Sequence, residues 1–474
     1  MKRHVLLIVA TCAGAALGCE RPADRLTGAG AGAPPLAGAR MADQNVGVNI
    51  LLSGPATQAQ LAELATHGTV TGRLDEIHAV FMRTEMSQVA AIQALRYVVA
   101  AGPDAERVGA PVDAVTVSDF AAGASTWNLD AVNATDLDSK RGRKESFDGS
   151  GVYIGVLDTG LLDSWRQYFP EERIAEEFAR AFSGGGQNQG TVSEPTNQWE
   201  HDQNSHGTHV TSTILGYQFG SLGITGVAPL ATVLPVKVLN QAGFGWSSMI
   251  AQGIVYIANL KAGPLAGSPV VINMSLGGPR LDPVEQAAID FAVARGVIIV
   301  AAAGNGGDAG MSFPGAYAPV ISAAATGWIG QWTPPGNNSW WRNRDVADPT
   351  AASDFYITGF SARARTGQDL DVAAPGTWVV GPFQLQSGQT SYFFLSGTSM
   401  ASPHVAGIVA LMAQKNPDLA AAQAEAILER TAIPLAAGSR TIFNPGGTTS
   451  TVEWPANATG AGLATADAAL KATR

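Results

Sequence analysis

Cysteine is almost missing from this chain of 474 residues: there are two, Cys12 and Cys19. Everything beyond residue 19 is therefore without thiol, disulfide or thiolate metal site, and its stability has to come from packing, with bound cations as a further aid. Charge is scarce too, at 14% of residues, and its balance is negative: Lys+Arg 29 against Asp+Glu 39 gives a formal net charge of -10. With no lysine- or arginine-rich stripe to set against that balance, nucleic acid is excluded as a partner. After the first twenty residues there is no long hydrophobic run, since the apolar stretch 405–412 is too short to span a bilayer. Neither HExxH nor a G-x-S-x-G elbow occurs, which argues against the zincin and α/β-hydrolase solutions to hydrolysis. What is present is 46% hydrophobic residues broken by Gly 55 and Pro 26, the composition of a folded protein with many tight turns.

The chain divides by composition. Residues 1–19 combine a basic start, Met1-Lys2-Arg3-His4, with an apolar stretch to Gly18, the pattern of a secretory signal. Ala-Leu-Gly-Cys at 16–19 resembles a bacterial lipoprotein box, so the mature chain is either secreted or held at the cell envelope by a lipid on Cys19. Residues 20–44 read as a flexible linker of Gly, Ala and Pro. Residues 45–110 alternate short strands and helices, with strands at 48–52, 77–82 and 97–99 and helices at 57–66 and 87–95, which predicts a small α+β module. From 111 to 474 the nearly continuous apolar runs 152–157, 232–239, 270–274 and 297–303 predict doubly buried strands. Helices at 206–217, 247–261 and 283–295 fit between them. This is the rhythm of an α/β domain, a mostly parallel sheet covered by helices on both faces. The stretch 327–358, with Trp328, Trp332, Trp340 and Trp341, breaks the rhythm and is expected to be a loop or insertion.

Three segments carry chemistry. Asp158 ends a buried strand, where the catalytic groups of open α/β sheets collect, although Asp-Thr-Gly is also good turn chemistry. His206 opens a helix behind Asn204 and Ser205, either of which can cap it. It also falls in a cluster with His201, Asp202 and His209 that could be read as metal ligands. Ser399 stands at the start of another helix, behind Gly397 and with Pro403 expected in the first turn, where orphan N–H groups favour negative charge. Its plainer reading is a capping serine. Taken together, the three supply a hydroxyl, an imidazole to take its proton, and a carboxylate to orient that imidazole. Their order, Asp then His then Ser, differs from that of the α/β-hydrolases and of the chymotrypsin type.

Val-Leu-Asp-Thr-Gly at 156–160, His-Gly-Thr-His-Val at 206–210 and Gly-Thr-Ser-Met-Ala-Ser-Pro-His-Val-Ala-Gly at 397–407 resemble the signatures of the subtilisin-like serine proteases, the subtilase family. The resemblance implies Asp158 as orienting acid, His206 as general base and acid, and Ser399 as nucleophile. It implies that Asn305, in Ala-Ala-Ala-Gly-Asn-Gly at 301–306, donates with the Ser399 N–H to an oxyanion. Gly243, Phe244 and Gly245 on one side, and Ser275, Leu276, Gly277 and Gly278 on the other, resemble the strips that hold an extended peptide. Gly304 and Ser-Phe-Pro at 312–314 would lie near the primary pocket, where no carboxylate demands a basic residue. Ser361, Ala-Ala-Pro-Gly at 373–376 and the stretch 460–470 extend the likeness to the end of the catalytic domain, so no C-terminal accessory domain is expected. The family needs no cofactor for catalysis; structural calcium at Asp371, with backbone oxygens near Ala318 and Val320, is a further implication.

The chain is thus expected to be a serine endopeptidase acting on proteins or peptides through an acyl-enzyme. Residues 45–110 would be an intramolecular inhibitory prodomain, cut away somewhere between about 100 and 125. Two departures from the family pattern are Thr211-Ser212, where Ala-Gly is commoner, and the tryptophan-rich stretch. An inactive peptide-binding relative and a metal-dependent hydrolase built on residues 201–209 are the competing readings.

Overall fold

Strands of Val, Ile and Ala without interruption cannot face water on either side, and they form the centre of this protein. In the computed structural model the described residues are 44–116, 126–135, 143–186, 198–220, 222–332, 346–386, 388, 391–445 and 447–474. The signal, the linker to residue 43, both cysteines, Trp340 and Trp341 lie outside them. Among the described residues no helix is long and apolar enough to cross a membrane.

The central sheet runs, in spatial order, Arg180–Ala181, Thr232–Lys237, Tyr153–Asp158, Val270–Met274, Val297–Ala302 and Ile321–Trp328, all parallel, with Phe355–Ile357 added antiparallel at the edge. Val372–Pro375 also joins Ile321–Trp328 in parallel. The helix Thr398–Lys415 covers one face and is buried from Thr398 to Ala413. On the other face lie Ser247–Ala262 and Pro283–Val293, packed through Ile250, Ile254, Ile257, Ala288, Ile289 and Ala292. Burying each such aliphatic side chain contributes roughly 1.5–3 kcal/mol, so this sandwich is rigid enough to hold loops at its carboxyl edge in place. The expected α/β architecture is therefore observed, and its strands and helices fall where the apolar periodicity puts them.

The N-terminal α+β region is a four-stranded antiparallel sheet in the order Thr69–Leu74, Ala79–Glu85, Asn45–Leu52, Val98–Pro103, with helices Gln58–Leu64 and Val89–Gln93. Thr57 opens the first helix with a capping box to Gln60. The strand Thr69–Leu74 has no apolar alternation to announce it, because it is an edge strand carrying Gly72 and a bulge between Val70 and Gly72. Ile77, Ala79 and Phe81 belong to the same apolar cluster as the helices Ser247–Ala262 and Pro283–Val293. The small sheet is thereby seated on those two helices.

Three local expectations need correction. The stretch 327–358 is not simply a loop: Gly327 and Trp328 finish a central strand, and Phe355–Ile357 is its antiparallel neighbour. Trp328 stacks on Trp127 with centroids 6.1 Å apart, and Trp332 packs on Trp378 and Phe394, so these indoles bury apolar surface. The second is Ser205, which does not cap its helix but stands in the left-handed region, at φ 65. Lastly, Pro403 is not in the first turn of its helix but lies inside it.

Candidate active site

Asp158 is the last residue of a central strand and is fully buried. Its Oδ1 accepts from Thr159 N at 2.7 Å and faces His206 Nδ1 at 2.8 Å. An ionised carboxylate can only accept, so the imidazole proton sits on Nδ1, and Nε2 is left as a buried acceptor without a partner among the described residues. Burial disfavours the imidazolium, but the Asp158 carboxylate, by charge and hydrogen bond, and Asp202 beyond it outweigh that, and the His206 pKa is raised from its ordinary value.

The helix that carries His206 is set by residues other than the expected caps. Asp202 Oδ1 accepts from Asn204 N at 3.1 Å and Ser205 N at 2.8 Å, and Thr159 Oγ1 accepts from Gly207 N at 2.8 Å. Gly207 cannot be replaced, because a Cβ there would meet Gly160 O at 2.4 Å. Asp202 is buried close to Lys237 and its carboxyl is pushed up to about 6, chiefly by burial. The metal-ligand reading of this segment is not assembled. His201 is exposed, and His209 turns its Nε2 to Val379 O at 3.1 Å and is held neutral by burial, at about 3.

Ser399 does not cap a helix either, for its hydroxyl donates to Ser275 O at 3.1 Å rather than accepting from the backbone. Pro403 lacks the N–H that would bond the Ser399 carbonyl four residues before it. Ser275 Oγ fills that vacancy, donating to Ser399 O at 2.8 Å. Ser275 in turn accepts from Asn273 Nδ2 at 3.1 Å, and Asn273 Oδ1 accepts from Ser402 Oγ at 2.6 Å. The interior proline therefore ties the helix start to the end of strand Val270–Met274 and holds the serine in place. Asn305 does the capping: its Oδ1 accepts from Thr398 N and Thr398 Oγ1, both at 2.9 Å, which leaves Nδ2 as the donor end of the side chain. Thr398 Oγ1 also accepts from Gly304 N at 3.1 Å, and a Cβ on Gly304 would meet Ser312 Oγ at 2.4 Å.

The two glycine-containing strips face each other across an extended piece of the same chain. Glu106–Val108 pairs antiparallel with Phe244–Trp246, and Val108 exchanges both backbone bonds with Gly277, at 2.9 and 3.0 Å. Gly109 N donates to Gly243 O at 2.9 Å, and Val112 N donates to Ser396 O, three residues before Ser399, at 2.6 Å. A Cβ on Gly109 would lie 3.5 Å from His206 Cε1. Residues 106–112 thus pass the His206 imidazole and reach Ser396 in the extended form that two flanking strips hold through backbone bonds.

Asp371, by contrast, lies away from this cleft. It is buried, its Oδ2 accepts from Ser322 N at 2.6 Å and Ser322 Oγ at 2.9 Å, and its Oδ1 has no partner among the described residues. Asp369 and Glu425 bring carboxylate oxygens to within 4.8 Å of one another and of Asp371. Glu425 was invisible in the sequence because it comes from a separate helix, Ala421–Thr431. Of the residues positioning the triad candidates, Thr159 and Asp202 are adjacent in sequence to recognisable segments. Asn273, Ser402 and Thr398 become meaningful only once the strand and helix meet.

The chain is similar to known proteins over most of its length. The sequence pattern described as "Subtilase family" matches residues 149–462. Subtilisin Savinase from Lederbergia lenta is 34% identical over 320 residues, which is 68% of this chain and 95% of that protein. Thermitase from Thermoactinomyces vulgaris is 32% identical over 285 residues, 60% of this chain and 82% of that protein. Among solved structures, fervidolysin from Fervidobacterium pennivorans, described as a keratinolytic enzyme related to subtilisin, shares the fold with a TM-score of 0.61 at 22% identity. It covers 90% of this chain, which spans 61% of that one. Sphericase aligns with a TM-score of 0.51 at 26% identity, over 73% of this chain and 99% of its own. The chain belongs to the subtilase family and is a serine endopeptidase.

Proposed function

We propose that Asp158, His206 and Ser399 are the catalytic triad of a secreted zymogen, and that residues 45–110 form its inhibitory prodomain. The observation that carries this reading is the lie of residues 106–112, a peptide paired to both strips and running past His206 on the way to Ser396. For the reaction the Ser399 hydroxyl has to leave Ser275 O and turn to the unpartnered Nε2 of His206. As Oγ attacks a carbonyl carbon, its proton passes to Nε2, and Asp158 stabilises the imidazolium so formed. The oxyanion lies between Asn305 Nδ2 and the Ser399 N–H. Loss of one such side-chain donor costs about 2.7–4 kcal/mol in subtilisin, a member of this family. The imidazolium then protonates the leaving nitrogen, and a water activated by the same imidazole releases the acyl group from Ser399. No cofactor is needed for any of these steps.

A serine-directed organophosphonate is expected to label the matured protein at Ser399, stoichiometrically and with loss of peptidase activity. Loss of activity to a chelator, in a protein that stays folded and is not labelled, would instead favour the metal-hydrolase reading. A folded, processed protein that never reacts at Ser399 would favour a peptide-binding relative.

We also propose a structural calcium ion at Asp371, Asp369 and Glu425. The unpartnered Asp371 Oδ1 and an all-oxygen donor set fit that ion. Burial, with smaller contributions from like charges, pushes the Asp371 and Glu425 carboxyls up to about 7, and a cation among them would favour their ionised forms. At a calcium concentration a hundredfold above Kd the ion would stabilise the fold by roughly 2.7 kcal/mol. The Tm of chelator-treated protein should therefore rise on adding calcium, and this rise should vanish in Asp371→Asn. A Tm identical with and without calcium would remove the site.

A further inference from the structure

The backbone pairing in the cleft numbers the subsites. Gly109 is anchored to Gly243 and Val112 to Ser396, so the peptide bond at midspan is that between Ala110 and Pro111. Counting back from Ala110, the fourth residue is Arg107, and its side chain is wholly buried, as is that of Glu285, which it meets. Arg107 Nε donates to Glu285 Oε1 at 3.0 Å and Nη2 to Oε2, a bidentate pair. The same guanidinium donates through Nη2 to Arg280 O at 3.1 Å and through Nη1 to Glu106 O at 2.9 Å. Gly278 makes the room, for a Cβ there would come within 2.8 Å of Arg107 Nη1.

Glu285 is not part of the seat of the N-terminal sheet alone. It stands in the first turn of helix Pro283–Val293, whose cap Asp282 accepts from Val284 N and Glu285 N. It is therefore fixed in the body of the enzyme and remains when residues 106–109 leave. A buried carboxylate without a counter-charge is costly, and a planar guanidinium with fixed donors meets this one better than an ammonium or an alkyl group. We propose that Glu285 is a specificity-determining residue, and that this peptidase selects peptides bearing arginine four residues before the cleaved bond, counting the acyl residue as the first. A Cβ on Gly109 would lie 2.7 Å from Leu239 Cδ1 and 3.1 Å from Ser275 O, so the test peptides keep glycine two residues before the bond. The selectivity thus lies in a subsite remote from the primary pocket.

The proposal rests on the triad reading, and the experiment separates the two. The matured protein is given two peptides, acetyl-Glu-Arg-Val-Gly-Ala-p-nitroanilide and the same sequence with leucine in place of arginine. The arginine peptide should have a kcat/KM at least about thirtyfold higher, the lower end of what a desolvated charge pair contributes at an interface. In Glu285→Leu that ratio should fall below one. Because Glu285→Leu leaves Arg107 without a partner during folding, the double variant Arg107→Leu, Glu285→Leu, which replaces the pair by apolar groups, should reach the same inverted ratio. Equal rates on the two peptides, with Ser399 labelled by the phosphonate, would overturn the arginine subsite while leaving the triad intact. An Arg preference that survives in the double variant would likewise overturn it, reducing the Arg107–Glu285 pair to a tether of the N-terminal region. Failure to hydrolyse either peptide, with no labelling of Ser399, would overturn both readings.

Discussion

Ser399→Ala should leave a chain that folds but neither shortens itself nor cleaves casein. The expected loss in kcat is about 10⁶-fold, the size known for removal of the nucleophile in subtilisin. The side chain is nearly buried and its hydroxyl makes one hydrogen bond, to Ser275 O, so its removal costs the fold only about 1 kcal/mol. The Ser275 hydroxyl still holds the Ser399 carbonyl, and Asn305 still caps the helix. A near-normal Tm beside a near-total loss of activity therefore distinguishes chemistry from unfolding. On a gel the variant should keep residues 45–110 joined to the remainder, whereas the unmodified protein separates them. A purified alanine variant that matures unaided and digests casein would mean that the nucleophile lies elsewhere.

Asp158→Asn should lower kcat by about 10⁴-fold with little effect on the fold. The carboxylate accepts from Nδ1 of His206 at 2.8 Å, which keeps the proton on that nitrogen and leaves Nε2 free for the serine proton. An asparagine can present an N–H instead, and the imidazole then carries its proton on Nε2, where it cannot act as base. The pH profile gives a second readout. In the unmodified enzyme His206 titrates above its ordinary value of about 6.5, and it works only when neutral, so activity falls as pH drops through that raised pKa. Without Asp158 the largest upward influences disappear while burial, which acts downward, persists. The acid limb of residual kcat/KM should move to lower pH. Activity within tenfold of the unmodified enzyme, or a limb that moves upward, would contradict the assignment of Asp158.

How much of this was legible beforehand depends on the kind of interaction. The strands at 152–157, 270–274 and 297–303 were readable because burial on both faces demands unbroken apolar sequence. The strand Thr69–Leu74 was not, since at a sheet edge neither burial nor pairing imposes a pattern on its residues. Gly327 and Trp328 read as loop because Gly and Trp beside Pro and Asn resemble one, yet Trp328 earns its place in a strand by stacking on Trp127. The triad candidates were readable because each sits in a short segment of distinctive local chemistry. Their supports were not. Nothing near Ser399 in sequence names Asn273 and Ser275 as the groups that complete a proline-broken helix turn.

By itself, the sequence determined the α/β architecture, the order of the candidate acid, base and nucleophile, and the absence of any thiolate chemistry beyond Cys19. These follow from periodicity, motif and composition, which are properties of residues near one another in the chain. Only the tertiary structure decided that Asp202 steadies the His206 helix instead of binding metal, that Glu425 joins Asp371, and that Glu285 lies buried against Arg107. Those outcomes depend on charges brought together across the fold. Desolvation makes each buried charge require a partner, and the identity of that partner is decided by packing rather than by spacing along the chain.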